Sequence, residues 1–253
     1  IFDPNDITQT PNGTYSQVPH GEGGFAFRDS QLLDDETNRV VMVPYGSANI
    51  GIFDPNDITQ TPNGTYSQVL HGDSSFGGSQ LLDDGRVVMI PNNSANIGIF
   101  DPSDNSYAQI PHGESRPVLG GFFADSQLLK DGEVVMVPYT SSNIGIYDPT
   151  PVSGSPNGTY SSFSRSGLSG VVPIQAGGDD FHFKDSQLLD DGRVVMVPYE
   201  SNNVEIFSIP KSQFLIRNPE TGITEGVDYN KLEQFIDLGG ITDVTAAGSE
   251  GDL

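Results

Sequence analysis

The feature that most constrains this chain is a phrase that recurs four times. From Asp29 it runs DSQLLDDETNRVVMVPYGSANIGIFDP, and it returns from Gly78, Asp125 and Asp185 with few changes. Met42, Met89, Met136 and Met196 hold the same place in each copy, at steps of 47, 47 and 60 residues. Residues 1–18, IFDPNDITQTPNGTYSQV, match residues 52–69 letter for letter, which predicts that the chain opens on the second half of a further copy. A period of 47 residues falls where four short strands per unit are expected, well above the period of leucine-rich solenoids. The units are rich in Gly, Pro, Asn and Asp and show no 3.6-residue apolar period, which excludes helical repeats.

Four strand signals follow one another in each unit, separated by turn chemistry. SQLL (residues 30–33) ends in a tight Asp-Asp-Gly or Lys-Asp-Gly turn, which the first copy lengthens to Asp34-Asp35-Glu36-Thr37-Asn38. VVMV (residues 40–43), stopped by Pro44, is continuously apolar, so both of its faces are expected to be covered. NIGIF (residues 49–53) stops at Asp54-Pro55, because the proline ring forbids further pairing. TYSQV (residues 65–69) follows Asn63-Gly64, a hairpin turn in which both residues accept positive φ. Covered inner strands and a polar outer strand describe a propeller blade. The expected fold is therefore all-β, a β-propeller of four-stranded antiparallel blades, about five in number, with an N-terminal half-blade at residues 1–18.

LLDDGRVVM followed by IGIFDP and GTYSQV resembles the kelch repeat, with a strand, a DG turn, a hydrophobic strand, a YDP-type strand and an aromatic in that order. The resemblance spans roughly residues 1–210 and implies a β-propeller. It departs from the kelch pattern where the diglycine is replaced by Pro44-Tyr45 and its equivalents, and where the usual Trp is Tyr15, Tyr66, Tyr107 or Tyr160. The propeller is expected to occupy residues 1–217, with 211–217 as a final strand. Residues 218–253 form an acidic extension with a short helix at 228–237 and a flexible tail. Ring closure is expected either from both chain ends completing one blade or from strand addition between chains.

Lys and Arg number 11 against 34 Asp and Glu, for a net charge of −23. That balance excludes nucleic acid and an anionic membrane as partners, since both need a basic patch. Cysteine is absent, so there is no disulfide framework and no thiolate chemistry. No apolar run approaches the length of a membrane span. The start at Ile1, inside a repeat, is read as processing, trimming or a fragment of a longer chain.

The loop after the second strand carries the candidate ligand residues: Tyr45, Ser47 and Asn49; Tyr139, Ser141 and Asn143; Tyr199, Ser201 and Asn203. An aromatic with hydroxyls and amides suits sugars or protein partners, and turn-forming Ser and Asn explain the same pattern. Asp29, Asp125 and Asp185 open the first strand, and their oxygens would suit Ca²⁺ at the channel, although Gly78 breaks the set; no other cofactor is implied. His20, His71 and His112 each begin a His-Gly step and are expected to bond within their own blade. Asn12, Asn63, Asn92 and Asn157 fit the glycosylation sequon.

No nucleophile elbow, zinc-protease helix or phosphate loop is present, and an active site is expected to break repeat symmetry. The sequence therefore predicts a non-enzymatic, extracellular or surface propeller. It would serve as a structural or interaction module, self-associating through blade edges into multimers or filaments. The alternatives are a carbohydrate-binding, lectin-like propeller and, last, an enzyme on a propeller scaffold.

Overall fold

A computed structural model describes residues 2–3, 14–15, 17–72, 75–115, 120–165, 182–200, 202–209, 214–217, 224–227 and 245–246. β1 (Phe2–Asp3) and β2 (Thr14–Tyr15) pair as a two-stranded sheet. Their register, Phe2 opposite Tyr15 and Asp3 opposite Thr14, repeats that of Phe53 with Tyr66 and Asp54 with Thr65. This is the half-blade that the duplicated opening predicts.

Each full repeat then folds into one antiparallel sheet. The first blade is β3 (Phe27–Leu32), β4 (Val40–Pro44), β5 (Asn49–Asp54) and β6 (Thr65–Leu70). The second is β7 (Phe76–Leu81), β8 (Val87–Pro91), β9 (Asn96–Asp101) and β10 (Ser106–Pro111). The third is β11 (Phe123–Leu128), β12 (Val134–Pro138), β13 (Asn143–Asp148) and β14 (Thr159–Ser164). The fourth has three strands among the described residues, β15 (Phe183–Leu188), β16 (Val194–Pro198) and β17 (Glu205–Phe207). Strands stop at the prolines and at the Asp-Gly turns, where Gly85, Gly132 and Gly192 hold φ of +86°, +90° and +86°. The lengthened turn of the first copy places Asn38 at φ +54° instead.

Successive blades touch along their first strands, β3 with β7, β7 with β11 and β11 with β15. Wedge-shaped sheets thus gather about an axis, with those strands innermost, which is the geometry of a β-propeller. The cores lie between blades. One packs Val41, Val43 and Ile50 against Phe76, Met89 and Phe100, and the other packs Val88, Ile90 and Ile97 against Phe123, Met136 and Tyr147. As the continuous apolar run predicts, β8 and β12 are buried along their whole length. β4 and β16 belong to blades with a full neighbour on one side only among the described residues, and they are only partly buried.

The propeller unit ends at Phe207, and a second compact unit runs from Ser208 to Leu253. β18 (Phe214–Arg217) is a strand, as expected, but it pairs with β19 (Thr224–Val227) and β20 (Thr245–Ala246) in the order β19-β18-β20. It therefore falls in the second unit. The expected helix at 228–237 and the tail lie outside the described residues.

Candidate functional site

The innermost strand of every blade carries a β-bulge at one place, between Phe27 and Asp29, Phe76 and Gly78, Phe123 and Asp125, and Phe183 and Asp185. A bulge turns its extra residue out of the pleat and re-aims the side chain. The bulged residues are Arg28, Gly77, Ala124 and Lys184, so otherwise uniform repeats here change from cation to hydrogen or methyl and back. Phe27 lies opposite Pro44, and the loop after that proline brings Tyr45 beside the bulge; Tyr139 and Tyr199 hold the equivalent place in blades three and four.

The guanidinium carbon of Arg28 sits 5.1 Å from the centre of the Tyr45 ring, and Lys184 Nζ sits 4.8 Å from that of Tyr199. Such contacts hold an exposed cation in place for about 0.5–1 kcal/mol. The rings of Tyr139 and Tyr199 lie 6.3 Å apart at 48°. Burial raises the Tyr139 phenol above its ordinary value, Tyr199, Glu200 and Tyr45 add to the rise, and the Arg28 guanidinium opposes it. Arg28 and Tyr45 belong to the first blade and Tyr139 to the third, so the field of the first blade's groups reaches a phenol two blades away. Blade two brings no ring. Gly77 stands at its bulge, and Asn92 is 3% exposed, with Nδ2 donating to the Phe123 carbonyl at 3.3 Å.

The structure thus brings Tyr139 and Tyr199 together, with Tyr45 near enough to act on the Tyr139 phenol, and gives the other expected ligand residues different work. Ser47 and Ser141 are buried turn residues. Ser47 Oγ accepts from the Asn49 backbone N–H at 2.8 Å and donates to the Asn49 carbonyl at 3.0 Å, and Ser141 Oγ accepts from the Asn143 N–H at 3.0 Å. Asn49 and Asn143 send their amides to Glu22 and Glu114 at 3.0 and 2.7 Å. Asn203 is exposed in the fourth blade, and Ser201 lies outside the described residues. His112 bonds locally, with Nε2 on the Ser94 carbonyl at 2.9 Å and Nδ1 accepting from the Glu114 N–H at 3.2 Å.

Two of the three first-strand aspartates lock blade to blade. Asp29 accepts from Ser79 Oγ at 2.6 Å and Asp125 from Ser186 Oγ at 2.5 Å, while Asp185 accepts from the Ser186 N–H at 2.8 Å. Burial raises the Asp125 carboxyl, with Ser186 opposing and Asp185 adding to the rise. Among the described residues, no group of three or more His, Asp or Glu is placed to hold a metal ion. Of the sequon asparagines, Asn63 is exposed and Asn157 half-buried, and Asn12 lies outside the described residues. Asn92 is corrected: its buried amide, bonded to Phe123, leaves no room for a glycan.

Sequence reasoning missed two sets of residues. The Ser-Gln pair of SQLL forms an inter-blade ladder, in which Gln31 Nε2 donates to Ser79, Gln80 Nε2 to Ser126 and Gln127 Nε2 to Ser186. The signal was its exact recurrence in all four copies. The bulge cations were missed as well, although the second residue before each Ser-Gln is where the copies diverge most.

No family model matches the chain, and no curated protein matches it. Among solved structures, a streptogramin B lyase matches with a TM-score of 0.55 at 10% identity, covering 86% of this chain and 59% of that one. A catalytically inactive histidine variant of virginiamycin B lyase from Staphylococcus aureus, with quinupristin, matches with a TM-score of 0.52 at 13% identity, covering 85% of this chain and 74% of that one. A putative 6-phosphogluconolactonase from Bacteroides uniformis matches at 17% identity with a TM-score of 0.48. At these identities the likeness is one of fold. The scaffold that this chain shares is thus one found in propellers named as lyases, and the resemblance to kelch repeats rests on the sequence alone. The expectation of a non-enzymatic structural or lectin-like module is corrected accordingly. It rested on uniform repeats and missing motifs, and this fold is shared with propellers named as lyases.

Proposed function

We propose that this chain is an enzyme-type propeller that acts on a small organic anion at the axial cluster. The observation that carries the reading is the placement of Arg28 and Lys184 on bulges beside Tyr45, Tyr139 and Tyr199, in a chain of net charge −23. Two exposed cations, each held over a tyrosine ring at the bulge of a first strand, would focus an anion there on a chain that is otherwise strongly acidic. The tyrosine rings offer flat apolar area to a planar portion of the same molecule.

The chemistry that these groups suit is acid–base elimination. Arg28 and Lys184 bind a carboxylate, Glu200 takes the proton from the adjacent carbon, and that electron pair forms the new double bond. The leaving group departs with the proton of Tyr139, whose raised phenol is still protonated near neutral pH. The lyase names among the structural neighbours favour this class of reaction over hydrolysis.

The test is turnover on a panel of carboxylates bearing a leaving group one carbon beyond the acidic C–H, followed by ultraviolet absorbance of the unsaturated product. Glu200→Gln is expected to lower kcat by about 100-fold or more with little change in KM. Turnover that survives Glu200→Gln and Arg28→Gln alike would overturn the reading.

A further inference from the structure

A second site lies off the axis, in the third blade. There a polar cleft of about 390 Å³ opens between the His112-Gly113-Glu114 connector and the loop that starts at Thr140. Glu114 stands in it with three donors. Tyr160 Oη donates to Oε1 at 2.9 Å, and Asn143 Nδ2 and Ser141 Oγ donate to Oε2 at 2.7 and 3.4 Å. Burial, and next the Glu114 charge, raise the Tyr160 phenol, so it remains a donor across the physiological range. A carboxylate has about four lone-pair positions, and among the described residues these three donors leave one on Oε1 open. The remaining wall is hydroxyl: Ser115, Thr140, Ser142 and Ser162.

The cleft exists because the third repeat departs from the first two. Ser162 stands where blades one and two carry Gln68 and Gln109, and Ser142 stands where they carry Ala48 and Ala95. Gln68 Nε2 crosses the corresponding space to the His20 carbonyl at 3.3 Å, and Gln109 Oε1 accepts from Asn96 Nδ2 at 3.3 Å. Serine is too short for either reach. The glutamine present in blades one and two is missing in blade three, where the carboxylate has three donors.

We propose that this cleft binds a small organic ammonium ion, its N–H donors meeting Glu114 and its polar substituents meeting the serine and threonine hydroxyls. Among the described residues, Glu114 is the one formal charge in the lining, which selects a cation. The hydroxyl wall and the space available select a compact, polar one. The site shares no residue with the axial cluster and takes the opposite charge, so it stands or falls separately from the proposed reaction.

The experiment is a calorimetric and NMR titration of the full chain with ethanolammonium, with glycerol and acetate as the uncharged and anionic controls. Saturable binding of ethanolammonium alone is expected. Ser162→Gln, which restores the residue of the neighbouring blades, should abolish it with an unchanged circular dichroism spectrum. Glu114→Gln should weaken it about tenfold or more. Arg28→Gln should leave it unchanged. Glycerol binding as well as ethanolammonium, binding that persists in Ser162→Gln, or no saturable binding would each overturn the proposal.

Discussion

Tyr147 shows how one residue reports on the packing around it. It is wholly buried between blades two and three, and its hydroxyl donates to the Asn157 carbonyl at 2.7 Å. Burial pushes its phenol from 10.0 up to about 12, with Arg86 opposing. Below the unfolded value both states keep the proton and the folded state loses nothing. As pH rises from 10.0 toward about 12, the unfolded chain ionises first and stability falls. The repeat supplies its own control, because Phe53 and Phe100 occupy the same place in blades one and two. Tyr147→Phe should fold, should cost about 1 kcal/mol at neutral pH for the lost hydrogen bond, and should flatten the alkaline fall in the urea midpoint. An unchanged alkaline slope would show that this phenol does not titrate as its burial requires. Residue by residue, the sequence made legible what is periodic: the apolar strands, the turns and the grouping of the tyrosines. It could not reveal that Arg28 and Lys184 act together, because a bulge is a property of register between two strands and has no signature in either strand alone.

At the scale of the strand, the innermost ladder has one visible gap. Ser79 Oγ donates to Asp29 and Ser186 Oγ to Asp125, but Ser126 Oγ, also buried, has no partner among the described residues. The residue that should accept from it is Gly78. A Cβ built there would meet nothing closer than 3.7 Å, so the site has room. Gly78→Asn would place a neutral acceptor beside Ser126 and restrict the unfolded chain, and it should stabilise the protein by about 1 kcal/mol. The gain should shrink in a Ser126→Ala background to the part that comes from the restricted unfolded chain, and a gain of equal size there would refute the ladder as a cause. The fourth blade departs from the pattern at the same scale. Gly51, Gly98 and Gly145 leave space for a tyrosine ring of the last strand, whereas Glu205 stands in that place and pairs with buried Arg165 at 2.6 Å. Nothing in the periodicity predicts that exchange, because it couples a loop residue to a strand residue forty positions away.

Across the whole propeller unit, the account joins three facts of different range. Identical wedges place their first strands around one axis, the bulge on each first strand decides what reaches the axial cluster, and the strongly negative chain keeps two of its few cations there. The architecture was therefore readable from the period, while the function class was not. Uniform repeats argued for a structural module, and the departures from uniformity that matter are single residues at 28, 162 and 184. The chain has no Trp and nine Tyr, so tyrosine emission carries a contribution from the three axial rings that no indole masks. The decisive measurement is a fluorescence titration of the purified chain with an aromatic carboxylate, run in parallel on the Arg28→Gln/Lys184→Gln double variant and on Ser162→Gln. The account predicts saturable quenching that is lost in the double variant, retained in Ser162→Gln and weakened by added salt. Quenching of equal strength in the double variant, or none in the native chain, would contradict it.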